Sequence, residues 1–146
     1  MSTFAWNESY SVHVHQFDAQ HKKLFEIINE LADAMRVGKG DDVIRDVVGK
    51  GDDVIRDVVG QLAVYTRTHF LQEEVAMRQT GYPDFAPHQS QHNKLMADVE
   101  KYKTDLIEGR KPNIVAVLNF LQQWLVDHIQ KSDKKYSDHL NNHGLR

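Results

Sequence analysis

Long helical stripes cut by few, well-placed breakers constrain this chain more than any other feature. Apolar residues recur at three- and four-residue steps in four stretches, the signature of one buried helix face. The first stripe is His21, Leu24, Phe25, Ile28, Leu31, Ala32 and Met35, with Asp18 as its expected N-cap and Gly38-Lys39-Gly40 as its stop. The second is Leu62, Tyr65, Thr66, His69, Phe70, Glu73, Ala76 and Met77, ended by Gly81. Pro83-Asp84 opens a third, with Pro87 tolerated in its first turn; it carries His88, His92, Leu95, Met96, Val99, Tyr102 and Leu106 as far as Gly109. Pro112 starts the fourth, with Val115, Leu118, Leu121, Trp124, Leu125, His128 and Ile129 in phase. No strand-like alternation competes. The pattern predicts an all-α, up-down-up-down four-helix bundle. Residues 1–17 lack the period but hold Phe4, Trp6, Tyr10 and Phe17, so they read as an ordered N-terminal arm packed on the bundle. The polar stretch Ser137 to Arg146 is expected to fray.

The length, 146 residues, suits one domain over 1–146. The absence of cysteine excludes disulfides, thiolate metal sites, iron–sulfur clusters and cysteine nucleophiles. A net charge of -3 with both signs scattered offers no basic stripe for nucleic acid. The N-terminus has neither a charged nor an apolar leader region, and the longest apolar run, Ile114 to Leu118, is far too short to span a bilayer. The expectation is a cytoplasmic protein without membrane contact.

Residues 38–48 (GKGDDVIRDVV) recur without a change as residues 49–59. Nothing else in the chain shares that period, so this is a tandem duplication and not a solenoid repeat. Eleven residues turn a helix by about 1100°, three full turns plus about 20°, so both copies can share one apolar face. The extra segment is therefore predicted to be largely helical. A valine stripe of that length predicts a homodimer, or a swap of the first helix that would donate His21 to a neighbour.

The remaining signal is histidine. Nine are present, and five lie on the inward stripes: His21, His69, His88, His92 and His128. His69 with Glu73, and His88 with His92, are four apart and so share a face. A lone histidine on an apolar face is more often a satisfied core residue than a ligand. Five in one core are another matter, because each imidazole needs both ring nitrogens satisfied. A metal accepts several lone pairs at once. Imidazole with carboxylate and no sulfur suits iron, manganese or zinc, and five histidines with two carboxylates overfill a single octahedral ion. The chain contains no Glu-x-x-His, so the ferritin-type di-iron pattern does not apply.

In order, the chain reads Trp6, Asp18-Ala19-Gln20-His21, His69-x-x-x-Glu73, His88-x-x-x-His92 and His128-x-x-x-x-Asp133. This resembles the bacterial hemerythrins from Trp6 to about Tyr136, interrupted only by the duplication. The resemblance, and not the helical spacing, brings in Asp133, which an α-helix would hold roughly 140° from His128.

What the resemblance implies is an oxo- or hydroxo-bridged pair of non-haem iron ions. His88, His92 and His128 would hold one ion and His21 and His69 the other, with Glu73 and Asp133 bridging. The second ion would keep a position open for dioxygen, walled by Leu24, Phe70, Trp124, Leu125 and Ile129. The implied function is reversible oxygen binding for carriage, storage or sensing, not enzymatic turnover. Alternatives are an oxygen or redox sensor at the end of a chemotaxis receptor, and a di-iron oxidase, peroxidase or nitric-oxide-handling protein. His13, His15, His139 and His143 are expected to stay out of the site, and Glu74 to lie on the surface.

Overall fold

A computed structural model of the chain describes residues 4–39, 45–110 and 112–146, with the side chains of 37–39 and 45–52 left aside. Four antiparallel helical rods form an up-down-up-down bundle. They are α1 (His15–Lys39), α2 (Arg45–Gln79), α3 (Phe85–Ile107) and a composite rod. That last rod joins α4 (Ile114–His128), a π-helical turn (Ile129–Asp133) and α5 (Lys134–Asn142). The apolar part of the core brings Leu24, Phe25, Ile28 and Leu31 of α1 together with Val58, Val59, Leu62 and Phe70 of α2, Leu95 and Val99 of α3, and Val117, Leu121 and Leu125 of α4. Among the described residues no helix is long and apolar enough to cross a membrane.

The turns form where the breakers stand. Gly81 and Gly109 take left-handed φ values of 68° and 79° after α2 and α3, which any Cβ would strain. Asn113 caps α4 by accepting from the Ala116 N–H at 3.2 Å. From residue 4 onward the arm packs on the bundle, as expected. Phe4 stacks on Phe25, Asn29 donates to the Phe4 carbonyl, and Lys22 sits over the Trp6 ring.

Several expectations need correction. Asp18 is not the N-cap of α1, which starts three residues earlier at His15. Its carboxylate instead reaches back to the Val12 N–H (2.8 Å) and the Ser11 hydroxyl (2.6 Å), tying the arm to the first turn. Val115 is exposed while Val117 is buried, because the inward face of α4 is set by Val117, Leu121, Leu125 and His128. The C-terminal stretch does not fray as a whole: α5 buries Tyr136, Ser137 and Leu140. Ser137 donates to the Val12 carbonyl and Asn141 to that of His13, so the tail clasps the arm.

The expected helix through the duplication is present from Arg45 onward and passes through Gly49 and Gly51. In the second copy Val58 and Val59 are buried, Ile55 is half-buried and Val54 is exposed. The expected stop at Gly40, together with Val43 and Ile44, lies outside the described residues, as do the side chains of Val47 and Val48.

Candidate metal centre

The seven residues singled out from the sequence converge at one end of the bundle. α1 supplies His21, α2 supplies His69 and Glu73, α3 supplies His88 and His92, and α4 supplies His128; none is more than 5% exposed. The pairs four apart lie one turn above each other, so α2 and α3 each aim two groups at one point. Asp133 arrives by a different device. In the π turn the Lys134 N–H donates to the Ile129 carbonyl, five residues back, and this wider turn swings Asp133 beneath His128. Their Nε2 and Oδ1 atoms are 3.0 Å apart.

Each carboxylate faces two ways. Glu73 Oε2 lies 3.3 Å from the Nε2 atoms of His21 and His69, while its Oε1 lies 3.3 Å from His92 Nε2 and 3.8 Å from His88 Nε2. Asp133 Oδ2 is 3.0 Å from His21 Nε2, and its Oδ1 is 3.0 Å from His88 Nε2. Two donor groups result, each drawn from ligand atoms within 4.8 Å of one another. One holds Glu73, His88, His92, His128 and Asp133; the other holds His21, His69, Glu73 and Asp133.

The donor atoms fit a metal pair better than they fit each other. His21 Nε2, His88 Nε2, Glu73 Oε1 and both Asp133 oxygens are buried without an aligned hydrogen-bond partner, although several approach to 3.0 Å. They point at common centres rather than along each other's lone pairs, and buried polar atoms seldom stay unpaired. Three of the five outward nitrogens are engaged, while His21 Nδ1 is buried without a partner. His69 Nδ1 donates to Gln20 Oε1 (2.5 Å), His92 Nδ1 to Glu74 Oε2 (2.8 Å) and His128 Nδ1 to Gln91 Oε1 (3.0 Å). Ser132 steadies that last glutamine at 2.7 Å. Protons on Nδ1 leave the Nε2 lone pairs free to face inward.

Charge balance in the metal-free site falls to protons. Burial opposes charging His21, but the Asp133 and Glu73 carboxylates outweigh it and raise the imidazole to about 10. His88 is raised to about 9 by the same contest. His69 goes the other way, its burial outweighing the pull of Glu73. Burial also works against ionising Glu73 and Asp133, yet the ring of imidazoles holds both well below the usual carboxylate range.

The profile of the Hemerythrin HHE cation binding domain matches residues 12–140. The chain belongs to the hemerythrin family. It is 31% identical over 137 residues to a bacteriohemerythrin of Methylococcus capsulatus, covering 93% of this chain and 95% of that protein. A hemerythrin-like protein of Naegleria gruberi is 31% identical over 135 residues, covering 92% of each. A crystal structure of wild-type hemerythrin superposes with a TM-score of 0.80 at 28% identity, covering 93% of this chain and 96% of the other.

Two groups beside the seven-residue cluster escaped the sequence reading. Glu74 is not on the surface but 7% exposed, accepting from His92 Nδ1 and, at 3.0 Å, from Gln89 Nε2. The residue after an inward Glu73 is rotated only about 100°, which turns it toward α3 rather than toward solvent. Tyr136 is fully buried and donates its hydroxyl to Glu73 Oε2 at 2.5 Å, with its ring between Phe17 and His88. Burial and the nearby carboxylates push this phenol well above its ordinary value, so it stays a protonated donor. Its position three residues past Asp133 was the available signal.

Of the expected pocket residues, Leu24, Phe70, Trp124 and Leu125 line a largely apolar cavity of about 20 Å³, joined by Leu62, Thr66, Leu95 and Leu121 among others. That volume suits one very small molecule. Ile129 is buried but does not line the cavity, being turned away at the start of the π turn. Phe70 stacks on His92 at 3.7 Å and Trp124 on His128 at 4.3 Å, so the cavity wall and these imidazoles are one packed unit. The other histidines stay outside: His13, His15 and His143 are exposed, and His139 binds the Thr80 carbonyl at 2.9 Å.

Proposed function

We propose that the protein binds dioxygen reversibly at a pair of non-haem iron ions, acting as one domain over residues 1–146. The observation that supports this most is the unequal sharing of histidines across two common carboxylates. His88, His92 and His128 would hold one ion, His21 and His69 the other, with Glu73 and Asp133 shared between them. The smaller set is one nitrogen short of the larger, which leaves its ion able to take an exogenous ligand. Iron held there would supply the electrons that dioxygen takes up on binding and returns on release.

The chain's own part is orientation and exclusion of water. Gln20, Glu74 and Gln91 fix three imidazoles from behind, and Tyr136 fixes one face of Glu73. Leu24, Phe70, Trp124 and Leu125 give the small cavity a largely apolar wall, in which Thr66 adds one hydroxyl and no side chain is ionisable. That wall also supports a binder rather than an enzyme, since no acid or base stands beside the cavity apart from groups in the ligand set and their hydrogen-bond partners. Dioxygen is the partner in this reading, nucleic acid is not, and the setting is the cytoplasm.

Titrating the reduced, iron-loaded protein with oxygen tests this. The expected result is two irons per chain and a spectral change that saturates and then reverses under inert gas. Steady oxygen consumption with reductant present would instead make the protein an oxidase.

A further inference from the structure

The outer face of α2 supplies none of the seven clustered residues, yet it is built unlike the rest of the surface. Among the described residues, seven large apolar side chains are exposed, and four of them, Val54, Val64, Leu71 and Val75, stand on this helix. From Gln61 through Val64, Thr68 and Leu71 to Val75 the steps alternate between three and four residues, the spacing of a seam that meets another helix, and Val54 lies seven residues before Gln61. From residue 61 to residue 75 that seam carries no charge, in a chain whose charged residues make up 27%. Arg67 lies to one side and pairs with Glu100 of α3 at 2.9 Å. Thr68 returns its hydroxyl to the Val64 carbonyl at 3.0 Å, which leaves its methyl outward. Loss of charge with retention of apolar side chains marks the centre of a contact surface.

Two grooves follow the seam where α2 meets α1. One, of about 470 Å³, is lined by Lys23, Ile27, Gly60, Gln61, Val64 and Thr68 among others. The second, of about 320 Å³, lies beside Leu71 and Val75. Gly60 is a further sign. A glycine inside a helix costs about 1 kcal/mol relative to alanine. Nothing lies within 4 Å of where its Cβ would stand, so the packing of one chain does not require it. The notch opens into the first groove.

We propose that this face is the docking surface for a second copy of the chain, with the two α2 helices antiparallel. The order Val64, Thr68, Leu71, Val75 reads nearly the same in both directions. A two-fold axis therefore sets Val64 against Val75 of the second copy and Thr68 against its Leu71. No like charges meet across such a pair, whereas a charged partner would find nothing to neutralise it. The site itself is complete within one chain, with His21 on its own chain's Glu73 and Asp133, so pairing needs no exchange of α1. The face also carries Gln72, which accepts from Gln16 and Gln20, and Gln20 in turn holds His69. Association thus shields the amides that orient one imidazole of the centre.

Sedimentation of the full chain over a range of concentrations, beside Val64→Glu, Val75→Lys and the two combined, tests the surface and its register. The substituted positions are exposed, and unchanged helical circular dichroism verifies that the fold survives. The full chain is expected to be dimeric, each single change to weaken pairing by about tenfold or more, and the double variant to regain it. A full chain that stays monomeric throughout overturns the proposal. So do single changes without effect, or a double variant no better than either single one.

Discussion

The two ends of this bundle solve the same packing problem with opposite materials. Around Val58, Val59, Leu62, Val99, Val117 and Leu121 the interior is hydrocarbon, and every contact there is favourable as soon as water is excluded. At the other end, the same four rods enclose five imidazoles, two carboxylates and a phenol, all of them buried. Burying such groups is costly unless each finds a partner, and here the ring nitrogens and carboxylate oxygens face inward on shared centres. The apolar end is self-sufficient, while the polar end is satisfied only when something occupies its middle. Stability and function are therefore coupled at one end and independent at the other.

The sharpest test of that contrast is Glu73→Ala, which removes one of the two shared carboxylates. It should lose the metal pair and destabilise the bundle by roughly 3–5 kcal/mol, the usual result of stranding a buried charge partner. Iron content together with thermal unfolding checks both halves. A variant that keeps two irons and its spectrum would show that Glu73 does not bridge.

A smaller loss is expected from pH in the metal-free protein. His21 and His88 are raised to about 10 and about 9, so their protons stabilise the fold fully below the ordinary histidine value of 6.5. That contribution should fade as pH climbs through 9 and 10. The lowered carboxylates act in reverse, contributing above their ordinary range and losing effect as pH falls toward and below it. Unfolding curves of metal-free protein should thus weaken on the alkaline side, and loading with metal should abolish that limb. Equal alkaline losses in both forms would place the titrating groups elsewhere.

The least costly change is Val59→Ala at the apolar end, where two buried carbons are lost for about 1.5 kcal/mol. Iron content and the spectrum should not move, since the site does not rest on this layer. A shift in either would mean the two ends are not independent.

What the sequence by itself determined is the set of helices and most of the site. Apolar periodicity placed four rods, glycine and proline placed the turns at Gly81 and Gly109, and the four-residue spacings put His69 with Glu73 and His88 with His92 on inward faces. These are local properties of a helix, repeated every turn, and they survive in any fold the helix enters. Tertiary structure alone decided the rest. Asp133 reaches the centre only through a π turn, whose extra residue has no local signature in Ile129-Gln130-Lys131-Ser132. Glu74 is buried because α3 lies against it, and Tyr136 because α5 folds over the arm instead of fraying. Each of these depends on what a neighbouring rod offers at that height, and the spacing of residues along one helix carries no information about that.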